Sequence, residues 1–159
     1  MPIDYYYDEY LYPVDMFNLL IGLNSKDLHE QVSERLGIKY LSDSSRKELK
    51  EATGIIFGPH LSIVVSLPVT IEKKTKNVHF VVDTGTPKTY ICDEVYKSFK
   101  VFIPGSPSSR PYTILLNDVP TLVHLPPINS NFTEVNVLGT EFLKLTGYVI
   151  VLDRIDIFL

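Results

Sequence analysis

From Ile55 onward the chain is written in short apolar runs, each ended within a few residues by a turn signal or a proline. Residues 61–65 and 68–71 are apolar and rich in β-branched side chains, and the polar run Glu72-Lys73-Lys74-Thr75-Lys76-Asn77 separates them from residues 78–82. Two such runs around a polar turn predict a hairpin, with the lysines as its solvated tip. Residues 112–116 and 121–125 flank Asn117-Asp118, a second turn signal. Runs at 135–138, 148–152 and 155–159 complete the series, the last two around Asp153-Arg154. Pro104, Pro107, Pro111, Pro120, Pro126 and Pro127 are expected at strand ends or in loops, because proline offers no ladder donor. Short strands at close spacing predict a mainly β domain, a small barrel or sandwich.

The first third reads differently. Residues 14–23 are apolar and predict a short helix. Ser25 stands where an N-cap belongs for a helix over 26–36, in which Leu28, Val32 and Leu36 form one stripe and Gly37 marks the end. Ser45 with Glu48 three residues on has capping-box spacing and predicts a second helix to about Ala52. The expected organisation is a small N-terminal helical extension over 1–57 and a β domain over 58–159.

Composition narrows the chemistry. Apolar residues make up 45% of the 159 and charged residues 21%, which suits one globular domain. Fifteen basic against nineteen acidic side chains give a net charge of −4, so no nucleic-acid partner is expected. The lone cysteine, Cys92, allows no intrachain disulfide. His29, His60, His79 and His124 have no metal-ligand spacing, and the eight glycines form no phosphate loop. No metal or organic cofactor is therefore expected. The tyrosine-rich, acidic start lacks the features of a secretory signal, and no apolar stretch nears the roughly 20 residues that span a bilayer. No membrane partner and a cytoplasmic location are expected.

The most informative stretch is Val81-Val82-Asp83-Thr84-Gly85-Thr86, an apolar strand that runs straight into an acid. A carboxylate among apolar neighbours is costly unless it is hydrogen-bonded or used. Gly85 permits a tight turn whose N–H can point at that carboxylate, and the Thr84 and Thr86 hydroxyls can fix the loop. The plain alternative is an ordinary strand-to-turn junction.

The order of elements resembles that of the retroviral-type (retropepsin-like) aspartic proteases. The resemblance rests on Leu67-Pro68-Val69-Thr70-Ile71 and the lysine-rich turn, on Asp83-Thr84-Gly85-Thr86 followed by Thr89-Tyr90-Ile91, and on Val135-Asn136-Val137-Leu138-Gly139-Thr140-Glu141-Phe142-Leu143. It covers about 60–159. It implies a closed β-barrel and hydrolysis of peptide bonds. That chemistry needs two adjacent carboxylates, one ionised and one protonated, holding a water between them. The chain has a single Asp-Thr-Gly, so the resemblance implies a homodimer in which Asp83 faces Asp83 of a second copy. By the same resemblance Thr84 would bond across the dimer and Gly85 would leave room for substrate backbone. Thr86 would donate to the outer carboxylate oxygen and move the optimum toward acid. Val137, Leu138 and Gly139 would be packing residues beside the loop, and Ile155, Ile157 and Leu159 would contribute to the dimer.

The sequence departs from the family at the flap, a glycine-rich hairpin that closes over the site. A short helix is expected over 93–99, which leaves only 100–111 before the next strand. A minimal flap there would centre on Pro104, Gly105 and Ser106, and its prolines remove N–H groups that a flap would offer. Pro87 also stands where many viral members carry an acid. Two rival readings follow: a retropepsin-like domain without catalysis, used for dimerisation or peptide binding by strand addition, and a cysteine enzyme using Cys92, against which stands the usual role of a lone cysteine as a small buried residue. Asn131-Phe132-Thr133 fits a glycosylation acceptor pattern but is read as a loop.

Overall fold

The computed structural model describes residues 19–101 and 112–148 of the chain. The fold is mainly β. Its strands are β1 (Gly54–Phe57), β2 (Ser62–Ile71), β3 (Lys74–Val82), β4 (Thr89–Tyr90), β5 (Tyr112–Leu116), β6 (Val119–His124) and β7 (Asn136–Leu138). They form one sheet in the order β1-β2-β3-β7-β4-β6-β5. Val69 and Thr70 of β2 pair with Leu116 and Leu115 of β5, which closes β2-β3-β7-β4-β6-β5 into a six-stranded barrel. β1 lies outside the closure, against the first part of β2.

The β2–β3 hairpin runs from Ile63↔Val82 to Ile71↔Lys74, so its turn is only Glu72-Lys73, with Glu72 at φ 57°. Lys73 keeps its place in the turn, while Lys74 and Lys76, also expected in a loop, extend β3 instead. At its far end Val78, His79, Phe80, Val81 and Val82 are all buried, as in a strand covered on both faces. The β5–β6 turn places Asn117 and Asp118 at φ 50° and 63°, a conformation these residues tolerate through local hydrogen bonding. The Asn117 side chain does further work that glycine could not. It accepts from Leu49 N–H at 2.7 Å and donates to the Leu49 carbonyl at 3.0 Å and the Tyr148 hydroxyl at 2.7 Å.

Helix α1 is continuous over Ser25–Asp27, a π-helical Leu28–Val32 and Ser33–Leu36. Leu28, Val32 and Leu36 are buried and Gly37 ends it at φ 68°. The cap is Asn24 rather than Ser25: Asn24 Oδ1 accepts from Asp27 N–H while Asp27 Oδ2 accepts from Asn24 N–H. The Ser25 hydroxyl is spent on Glu94 Oε1 at 2.9 Å. Two further helices, α2 (Asp93–Ser98) and α3 (Thr140–Thr146), sit at the ends of strands.

The second expected helix, from Ser45 to Ala52, does not form. Lys47, Glu48, Lys50 and Glu51 are exposed, so there is no apolar face to drive it. Its backbone is drawn into other bonds: Ser44 N–H to the Thr75 carbonyl at 2.9 Å, Ser44 Oγ from Arg46 N–H, and Leu49 to Asn117. Residues 19–24 are not helical either; the rest of the expected helix over 14–23, the minimal flap at Pro104, Gly105 and Ser106, and the strands at 149–159 lie outside the described residues. A single core takes in Ile21, Leu28, Val32, Leu36 and Tyr40 from the first third together with the barrel interior. No helix among the described residues is long and apolar enough to cross a membrane.

Candidate active site

Asp83 follows β3 directly. β3 runs parallel to β7, with Val81 opposite Val137 and Val82 opposite Leu138, and the Asp83 N–H extends this ladder to the Leu138 carbonyl at 3.1 Å. The backbone position of the acid is thus set by two buried strands. The side chain is set by its own loop. Oδ1 accepts from Gly85 N–H at 2.8 Å, and Oδ2 accepts from the Thr86 hydroxyl at 2.9 Å. A Cβ on Gly85 would lie 3.3 Å from Oδ1, a tight approach that glycine avoids. Both carboxylate oxygens are therefore fixed from within four residues of sequence, and Asp83 stays partly exposed. Among the described residues no lysine, arginine or histidine pairs with it. Thr84 and Gly85 are exposed, whereas Thr86 is only 9% exposed.

The loop is clamped from the other side by β7 and α3. A Cβ on Gly139 would fall 2.2 Å from the Lys88 carbonyl oxygen and 2.4 Å from that of Pro87. Only a residue without a side chain fits. Gly139 N–H donates to Thr89 Oγ1 at 3.1 Å. The first free amides of α3 then bind the loop, Thr140 N–H to the Thr86 carbonyl at 2.8 Å and Glu141 N–H to the Pro87 carbonyl at 3.0 Å. These are helix N-terminal donors that need partners outside the helix. Val137 and Leu138 are buried beside them. Asp83, Thr84, Gly85, Thr86, Val137, Leu138 and Gly139, distant in sequence, are thus brought to one place. Sequence reasoning missed Thr89 and the α3 amides. Backbone donors carry no residue signature.

Cys92 is a different case. It is buried, its thiol is pushed up in pKa by that burial, and its Sγ lies 3.9 Å from the Tyr40 hydroxyl. An activated thiolate needs the opposite environment. A surface cleft of about 420 Å³ beside Asp93, Glu94, Lys97 and Glu134 includes no residue of the Asp83 loop. Among the described residues no group of His, Cys, Asp and Glu is arranged to hold a metal.

No protein-family model matches this chain, and no curated protein matches it. Among solved structures it is similar to a retropepsin-like aspartic protease from Rickettsia conorii, at 16% identity over 65% of this chain and 85% of that one, with a TM-score of 0.43.

Proposed function

We propose that this chain is an aspartic endopeptidase that acts as a homodimer, hydrolysing peptide bonds through a water held between Asp83 of two copies. The observation that supports it most is the state of the Asp83 carboxylate. Each of its oxygens is oriented by one hydrogen bond, and no cation among the described residues is paired with it. A carboxylate has about four acceptor sites, so two remain for a water and a second carboxyl group. In such a pair the like charges cannot both ionise at close range. One proton is shared; the ionised member takes a proton from the water as it attacks the amide carbon, and the protonated member donates to the leaving nitrogen. Thr84, exposed at the loop tip, is placed by this reading at the contact between copies, and Gly85 keeps the approach open to substrate backbone.

The second reading is a non-catalytic domain of the same kind that binds an extended peptide. What favours it is the sequence of the 100–111 segment, where Pro104, Pro107 and Pro111 withhold backbone donors from any flap. One comparison separates the two. Purified wild type and Asp83→Asn are incubated with a mixed peptide library across acidic and neutral pH. The proteolytic reading expects cleavage that falls about 10³-fold or more in the variant. Identical cleavage profiles exclude it.

A further inference from the structure

A second polar cluster lies on β3, and it is closed where the Asp83 loop is open. His79 is fully buried. Its Nδ1 lies 3.0 Å from Ser66 Oγ on β2, and its Nε2 lies 3.1 Å from both the Ile38 carbonyl and Ser33 Oγ, which belong to α1 and the chain just after it. The Ser33 hydroxyl donates to the Leu28 carbonyl at 2.6 Å and accepts from Tyr40 N–H at 3.0 Å. Its proton is already used, so Nε2 carries the ring proton and Nδ1 accepts from Ser66. Asn136 of β7 completes the joint, donating to the Tyr40 hydroxyl at 2.8 Å and to the His79 carbonyl at 3.0 Å, while accepting from Cys92 N–H at 2.9 Å.

Among the described residues, no carboxylate within this joint awaits a second proton on the ring. From α1, His29 faces it through Tyr40, with the two rings 4.8 Å apart. From α2, Glu94 is bound to His29 at 2.9 Å and to Ser25 at 2.9 Å. Tyr40 and Cys92 stay neutral, both pushed up by burial. β2 and β7 contribute only Ser66 and Asn136. Burial accordingly lowers His79 to about 4, with the His29 charge adding to the effect and the Ile38 carbonyl opposing it. Beyond this joint the segment 38–44 meets β3 through three backbone bonds, Leu41 N–H to Asn77, Asn77 N–H to Ser42 and Ser44 N–H to Thr75. The barrel strands are tied by full ladders.

We propose that His79 is an acid-sensitive latch: its neutral ring fastens the segment 25–44 to the strand that leads into Asp83, and a second proton on the ring loosens that segment ahead of the barrel. The latch goes beyond the proteolytic reading and does not depend on it. A charged ring has an N–H at both nitrogens, so Ser66 has to turn its hydroxyl away and an ion without a counter-charge is enclosed.

The test is hydrogen exchange followed by mass spectrometry on the full chain, corrected for the intrinsic pH dependence of exchange. In the wild type, amides over 28–42 are expected to exchange at least tenfold faster at pH 4 than at pH 6.5, while β5 and β6 change less than threefold. In His79→Gln the segment is expected to lose most of that dependence. Equal acid loosening in both proteins overturns the latch. So does loosening that survives in His79→Gln and disappears in Glu94→Gln, which would assign it to the His29–Glu94 pair. If His79→Gln does not fold, the ring titration of His79 by NMR in the wild type decides. A midpoint that coincides with the exchange midpoint supports the latch, and midpoints more than one pH unit apart overturn it.

Discussion

His79 lies within β3 and Asp83 directly follows it, yet the two groups are held in opposite ways. Around His79 each ring nitrogen has a partner, the Ser33 hydroxyl is bonded in turn to Leu28 and Tyr40, and the ring is fully buried. Around Asp83 the loop fills one acceptor site on each oxygen, no other described residue is bonded to them, and the residue is partly exposed. The same apolar strand carries both. What differs is how many hydrogen-bonding valences the fold consumes. A group whose valences are all satisfied inside the protein fixes structure, and one that is oriented but unsaturated is available for chemistry.

That contrast can be broken at either end, and the largest effect is expected at the clamp. Gly139→Ala drives a Cβ into the Lys88 and Pro87 carbonyls, backbone atoms that cannot move aside cheaply. It is expected to cost about 3 kcal/mol or more in chemical denaturation. A loss below about 1 kcal/mol would mean that the loop is not held there.

A similar magnitude is expected at the other end, as a pH effect. The neutral His79 ring is favoured in the fold, with its pKa lowered from 6.5 to about 4. Between these values the unfolded chain binds a proton that the folded chain refuses. The stability from this group is whole above pH 6.5 and falls as the pH drops toward 4. At 1.36 kcal/mol per unit it amounts to about 3 kcal/mol. Urea titrations at several pH values check it, and His79→Gln is expected to flatten the dependence across that window.

The smallest effect sharpens the comparison at the loop itself. Thr86→Val keeps the shape and removes the donor to Oδ2. It is expected to lower peptide hydrolysis about tenfold, near 1.4 kcal/mol, with Thr86→Ser restoring it. A variant as active as the wild type would show that the second oxygen needs no donor.

Much of this arrangement is legible in the residue string because it is local. The β2–β3 hairpin, the Asn117-Asp118 turn and the stripe of Leu28, Val32 and Leu36 each follow from spacing within about ten residues. The bonds that orient the Asp83 carboxylate also come from within the motif, although its backbone is fixed by Leu138. The failed helix at Ser45 marks the limit of such reading. A capping-box spacing is a local signal, and bonds to Thr75 and Asn117 outweigh it where no apolar face exists to be buried. The His79 joint was invisible for the same reason. It gathers Ser33, Ser66, Cys92 and Asn136 from four separate parts of the chain, and only the polar intruders in the runs 78–82 and 135–138 hinted at it.

The claim at the centre of this account is that two copies share one reaction. Mixing tests it most directly, with inactive Asp83→Asn chains titrated into a fixed amount of wild type and peptide cleavage measured after exchange of subunits. If each site needs Asp83 from both copies, an equal mixture is expected to retain about half the cleavage per wild-type chain, because about half of those chains are paired with a silent partner. Cleavage per wild-type chain that stays constant at every ratio contradicts the shared site.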